Sequence, residues 1–254
     1  MTVNEIYHAI NKIAPFSESM DFDNTGLLIG SDTQNVKTAL LCLDVTDDVL
    51  EEAKEIGAEL IISHHPVIFR PLKRVSGESV VYKAVQSGIA VISAHTNLDK
   101  AFPYGVNHAL AEALGLNNIR GIIADGGSHI AYMGDLPEAM GSDAFAEKVK
   151  SDLKLAAVRY TPAARKIKAV GVVGGSGGDY AAEAFFCGAD AFVTGEVKHH
   201  EAIEARQLGL ALYEAGHYHT EIVYREMLKK ILEEKCPGVR FCISQKESAP
   251  MEII

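Results

Sequence analysis

The sequence predicts an α/β protein with two similar α/β domains, and three observations support this. Helical and extended patterns alternate along all 254 residues, as expected for βαβ units with parallel strands. The segment Asp48–Ser63 aligns without gaps to Asp179–Thr194, with five of sixteen positions identical. A second pair, Ser87–His95 and Leu208–His217, is similar in sequence, with one glycine added before the second histidine. The repeat therefore predicts a duplicated fold.

The first repeat shows the signals of each element in turn. Thr38–Val45 is apolar and rich in branched residues, which predicts a buried strand. Thr46 is suited to cap a helix, and two aspartates follow it in the first turn. This helix is expected to end near Gly57, and Ala58–Ile62 predicts the next buried strand.

The second half is less regular at its start. Asn117–Lys168 is interpreted as turns around one strand and a helix at Asp143–Leu153. A C-terminal helix is predicted at about Thr220–Glu234. We expect a first domain at 1–120 and a second at 121–254, with the C-terminal helix able to pack back on the first. No inserted domain is expected.

Composition narrows the classes of function. The chain is 48% hydrophobic and 23% charged, and no apolar run reaches the roughly 18 residues of a membrane helix. The amphipathic N-terminus has no basic, signal-like region, so a cytoplasmic protein without membrane partners is expected. The net charge of -10 makes nucleic acid an improbable partner but permits a small anion, because a bound metal reverses the local field. Cysteines without a CxxC pair indicate reduced thiols: Cys42, Cys187, Cys236 and Cys242.

Two adjacent histidines mark the first candidate site. His64 and His65 follow a predicted buried strand, and Pro66 ends any regular ladder there. The carboxyl ends of parallel strands are where α/β sheets bind ligands. A single histidine in such a place is usually an ordinary polar residue. For an adjacent pair, a role as metal ligand and an ordinary polar role are about equally expected.

A histidine followed four residues later by a carboxylate occurs in both halves. His95 precedes Asp99, and His217 precedes Glu221, each time after a predicted strand. In a helix this spacing places both side chains on one face, where an ion pair is the ordinary alternative to a ligand pair. The recurrence at matching places favours ligands.

These residues make one candidate ligand set, namely His64, His65, Asp99, His217 and Glu221. Imidazoles and carboxylates without thiols suit zinc, iron or manganese. Five ligands are too many for one tetrahedral site and suit two divalent metals, with Glu221 able to bridge them. His95 is a candidate to orient a ligand or carry a proton.

Two further motifs have open interpretations. The glycine-rich loop consists of Gly174, Gly175, Ser176, Gly177 and Gly178. It could cradle a phosphate with backbone N–H groups, or it could be a tight turn that needs left-handed backbone. His199 and His200 begin a predicted helix and are either substrate-binding groups or an ordinary exposed pair.

Six motifs in order resemble the NIF-three-like dinuclear metal-binding family, whose bacterial members are called GTP cyclohydrolase 1 type 2 homologues. They are HHPVIF, AHTNLDKA, GVNHALAEALGL, GGSGG, GADAFVTGEVKHHEA and GHYHTE. The resemblance extends from DFDNTGLLIGS over nearly the whole chain. Departures from the family's pattern are Phe22 in place of tryptophan, Glu196 in place of aspartate, and the added imidazole of His219.

The resemblance implies a fold and a function. It implies two similar domains with the five ligands and two metals in the crevice between them, and a toroidal homohexamer built as a trimer of dimers. It also implies a metal-dependent hydrolase that attacks GTP and releases formate. Hydrolysis of a nucleotide phosphoester is the enzymatic alternative. A non-enzymatic ring-shaped scaffold with structural metals is the alternative of a different class.

Overall fold

The computed structural model describes residues 1–252 and shows an α/β protein with two sheets. The helices are α1 Val3–Ile13, α2 Asp47–Glu55, α3 Val80–Ser87, α4 Thr96–Lys100, α5 Val106–Ala113, α6 Ser142–Asp152, α7 Ala181–Phe186, α8 His199–Leu208, α9 His217–Glu221 and α10 Tyr224–Lys235. The strands are β1 Gly26–Ile29, β2 Thr38–Cys42, β3 Leu60–Ser63, β4 Ala90–Ser93, β5 Asn117–Asp125, β6 Ser128–Met140, β7 Arg159–Thr161, β8 Ile167–Val173, β9 Ala191–Thr194, β10 Ala211–Glu214 and β11 Arg240–Ile243. Within the described residues, no helix combines the length and apolarity needed to cross a bilayer.

The chain divides into two compact units. The first unit contains Met1–Leu98 and Arg225–Ser248. The second unit contains Asp99–Tyr224 and the last segment from Ala249. The division therefore falls within α4, whereas the expected boundary near residue 120 lies inside β5.

The first unit has a five-stranded sheet in the order β1-β4-β3-β2-β11. All neighbours are parallel except β1, which pairs with β4 in the antiparallel direction. Every residue of β2, β3 and β4 is buried, because helices cover a sheet of this kind. Thr46 caps α2 by accepting a hydrogen bond from the Val49 N–H, as predicted.

The second unit has a six-stranded mixed sheet in the order β5-β6-β8-β9-β10-β7. Its centre, β8-β9-β10, is parallel, and the outer pairs are antiparallel. The predicted repeat is confirmed inside this sheet. Cys42 pairs with Ser63 in the first unit as Val173 pairs with Thr194 in the second, and each pair ends two parallel strands.

Two predicted elements need correction. The region between the repeats contains the long β5–β6 hairpin and β7, rather than one strand. Irregular register between β5 and β6 hides the alternation of polar and apolar residues by which a strand is recognised. The predicted helix at Thr220–Glu234 is two helices, α9 and α10. The β-branched Ile222 and Val223 lie at the break, and such residues favour helices less.

Candidate metal centre

The histidine pair lies where the first unit's sheet ends. His64 and His65 directly follow β3, and their N–H groups donate to Cys42 and Leu43, so the backbone continues past the last paired residues. His64 is fully buried. Its Nδ1 lies 2.9 Å from the carbonyl oxygen of Ala94, to which it must donate a hydrogen. The tautomer is thereby fixed, with Nε2 as the nitrogen that carries the lone pair.

Carboxylates orient the two neighbouring imidazoles. Nδ1 of His65 lies 2.8 Å from Oδ1 of Asp44, and Nδ1 of His95 lies 2.9 Å from Oδ1 of Asp23. The three rings cluster, because the centroids of His64 and His95 are 5.1 Å apart and those of His65 and His95 are 5.5 Å apart. Each of the three offers a nitrogen within 4.8 Å of the others.

Asp23 is the most strongly bound carboxylate of this cluster. Burial opposes the ionisation of Asp23. A hydrogen bond from His95, the charge of that ring and hydrogen bonds from Thr96 outweigh burial, and together they lower the pKa of Asp23 to about 2. Its side chain is fully buried. Asp23 therefore remains an anion that holds the His95 ring in place.

The second unit brings His217 and Glu221 together on α9. Nε2 of His217 is 3.1 Å from Oε2 of Glu221, at the predicted spacing of one helical turn. Nδ1 of His217 is 2.8 Å from Oε1 of Glu196. The Glu221 side chain is only 5% exposed, against 35% for His217. A carboxylate buried to this degree needs a cation or several hydrogen bonds to remain ionised.

The glycine-rich loop packs against this pair. A Cβ atom on Gly175 would lie 2.2 Å from Oε1 of Glu221 and 3.1 Å from Nε2 of His217. The N–H groups of three glycines donate to side chains, namely Gly174 to Asn107, Gly175 to Thr220 and Gly177 to Thr194. The structure therefore gives the loop a packing role beside Glu221, and its role in phosphate binding stays a prediction.

The other predicted residues lie at different depths. Asp99 is partly buried on α4. His199 and His200 are exposed at the start of α8, as predicted for their helix, and His200 is near Asp179 and Glu201. The latter two carboxylates are each within 3.1 Å of Nζ of Lys198, which makes this group an ion-pair cluster. Burial lowers the pKa of His219.

Four histidines share the arrangement that metal ligands adopt in proteins. His64, His65, His95 and His217 each place Nδ1 against a carbonyl or carboxylate oxygen, which orients the ring and raises the basicity of Nε2. The donor set of imidazoles and carboxylates therefore fits divalent transition metals. Sequence reasoning missed Asp23 and Asp44 as orienting groups. Asp44 had a signal, because it follows β2 at the same end of the sheet as His64.

The comparison with protein families decides the classification. The family described as Duf34/NIF3 (NGG1p interacting factor 3) matches residues 1–250. The chain belongs to the Duf34/NIF3 family.

Relatives within the NIF3 family cover the whole chain. A Clostridium perfringens protein named GTP cyclohydrolase 1 type 2 homolog is 33% identical over 100% of both chains. A solved Staphylococcus aureus protein has a TM-score of 0.94 at 31% identity and covers 100% of this chain and 99% of its own. A Bacillus cereus protein related to NIF3 has a TM-score of 0.91 at 27% identity, with the same coverage. The NIF3 fold is thus shared over the full length.

Proposed function

We propose that this NIF3 protein holds two divalent metal ions with His64, His65, Asp99, His217 and Glu221. The observation that best supports this proposal concerns the imidazoles of His64, His65 and His217. In each of them Nδ1 lies against a hydrogen-bond acceptor, which leaves Nε2 to bind a metal. Zinc, iron and manganese suit this donor set. Such metals, when bound, supply Lewis acidity and a nucleophilic water at neutral pH.

We propose further that the protein is a metal-dependent hydrolase acting on a nucleotide, with GTP as the first candidate and formate as the product released. The name of the C. perfringens relative supports this choice. The chain's own residues have separate roles in it. Glu221 supplies the buried carboxylate beside His217, and His95 transfers a proton through Nε2 while Asp23 holds Nδ1.

The assembly belongs to the same proposal. A homohexamer arranged as a trimer of dimers follows from the family resemblance, and a cytoplasmic location is proposed separately, from the composition of the chain.

The test of this function is formate and phosphate release from GTP by metal-loaded protein, with and without a chelator. Glu221→Gln keeps the shape of the side chain but removes its charge, so release should nearly cease even where some metal is retained. His95→Ala should lower the rate by about 10²–10⁴-fold, the usual contribution of a proton-transfer group. His129→Ala, outside the proposed site, is the control.

Two outcomes would reject parts of this proposal. Release that persists in Glu221→Gln would show that another enzyme in the preparation is responsible. Two bound metals without release from GTP, other nucleotides or simple phosphoesters would favour the scaffold with structural metals, a function for which the description as an interacting factor is the supporting observation.

A further inference from the structure

Two phenylalanines are exposed beside the histidine cluster of the first unit. Phe22 is 63% exposed and Phe69 is 42% exposed. Their ring centroids are 6.3 Å apart, edge to face. The ring of Phe69 is also edge to face with His95, at 6.2 Å. The two phenyl rings therefore form an aromatic surface that is continuous with the imidazoles.

The backbone around both rings is held in place although the rings are exposed. Asp23, next to Phe22, is bonded to His95 and Thr96. The side chain of Asn24 donates a hydrogen bond to the carbonyl of Ile68, next to Phe69. This bond joins the two segments. Rigid exposed apolar surface at the rim of a polar site is typical of ligand recognition, because a preformed surface loses little entropy on binding.

The segment that follows Phe69 is basic. Arg70, Lys73 and Arg74 are all exposed, and residues 60–77 contain no aspartate or glutamate. In a chain of net charge -10 this is a local reversal of sign. Among residues 1–252, none of the three forms an ion pair with a carboxylate. Arginine and lysine side chains in such a setting are suited to bind phosphate.

We propose that Phe22 and Phe69 stack on the base of a nucleotide, and that Arg70, Lys73 and Arg74 bind its phosphate. The inference rests on the proposed function and names the residues that recognise the substrate. A planar heteroaromatic ring matches the flat face of one phenyl ring and the edge of the other, since the two rings are inclined by 67°, and an anionic group matches the three cations. The overall negative charge disfavours a longer nucleic acid as the occupant.

Calorimetric titration of the metal-loaded, full-length protein tests the aromatic part, with GMP and ribose 5-phosphate as probes. Phe22→Ala combined with Phe69→Ala should weaken GMP binding by about 5- to 100-fold, the usual effect of losing base–aromatic stacking. Ribose 5-phosphate binding should not change. Phe22→Trp should retain GMP binding, since it keeps an aromatic face. Phe186→Ala removes another exposed ring and is the matched control.

The triple change Arg70→Ala, Lys73→Ala and Arg74→Ala tests the basic part. It should weaken binding of GMP and ribose 5-phosphate together and leave guanosine binding unchanged. The effect on GMP should shrink as salt concentration rises, because salt screens exposed charges.

Several results would overturn the inference. One is a wild-type protein that does not bind GMP, and another is unchanged GMP affinity in the double phenylalanine variant. If those phenylalanine changes instead alter the oligomeric state measured by light scattering, with GMP affinity unchanged, the rings form a contact between copies of the chain.

Failure of this inference is distinguishable from failure of the proposed hydrolase. Nucleotide hydrolysis that is unaffected by both phenylalanine changes would reject the stacking surface and leave the hydrolase. Ring-dependent GMP binding without any hydrolysis would support the stacking surface and reject the hydrolase.

Discussion

The two repeats place different residues at equivalent strand ends. In the first unit, Asp44 follows β2 and His65 follows β3, and the two side chains are hydrogen-bonded. In the second unit the equivalent positions, read from the matching strand register, are Gly175 and Glu196. There the backbone N–H of Glu196 donates to the carbonyl of Gly175, and the Glu196 side chain binds His217 instead.

This difference shows how one βαβ framework can present two different sets of side chains. The first unit presents the imidazoles of His64, His65 and His95, whereas the second presents the carboxylates of Asp99 and Glu221 and the imidazole of His217. Gly175 makes the second arrangement possible, because any side chain there would collide with Glu221. The shared βαβ framework fixes the positions, and the residues just beyond the strands decide the chemistry.

The largest effect expected from this comparison concerns Gly175→Ala. Gly175 has a φ of +60° and its added Cβ would displace the Glu221 carboxylate, so the variant should lose metal. Gly57→Ala is the matched control, since Gly57 has a φ of +67° and no atom within 4 Å of its built Cβ. Backbone strain should cost both variants at least about 1 kcal/mol of unfolding free energy, and the collision with Glu221 should cost Gly175→Ala more. Denaturant unfolding and metal analysis measure the two quantities.

Only Gly175→Ala should change the metal content. Full metal in this variant, at the same stability as Gly57→Ala, would show that Glu221 either moves without loss or is no ligand.

A smaller effect is expected for the carboxylates that orient the ligands. Asp44→Asn in the first unit and Glu196→Gln in the second should each lower metal affinity by about 10–100-fold, because the imidazole loses its anionic partner. Competition with a metal-sensitive fluorescent chelator measures this. Asp47→Asn is the control, since Asp47 is an exposed carboxylate that pairs with Lys83, 2.8 Å away, and with no histidine among the described residues. Equal metal affinity in Asp44→Asn, Glu196→Gln and Asp47→Asn would mean that the imidazoles of His65 and His217 need no carboxylate to orient them.

The sequence was sufficient to predict the repeat and the histidines after its strands, because βαβ units and their strand ends leave local signals. It also predicted the His217–Glu221 pair, since helical spacing fixes which side chains meet. The β5–β6 hairpin was missed because bulged register breaks the two-residue period. Asp23 was missed because its hydrogen bond to His95 joins residues far apart in the chain.

The central claim is the proposal that His64, His65, Asp99, His217 and Glu221 hold two divalent metals. Elemental analysis of the native protein, His64→Ala and Glu221→Ala, purified in parallel, tests this most directly. We predict close to two divalent metals per chain in the native protein. His64→Ala and Glu221→Ala should each contain one divalent metal or fewer per chain, although His64 belongs to the first unit and Glu221 to the second. Two metals per chain in both variants would contradict the account.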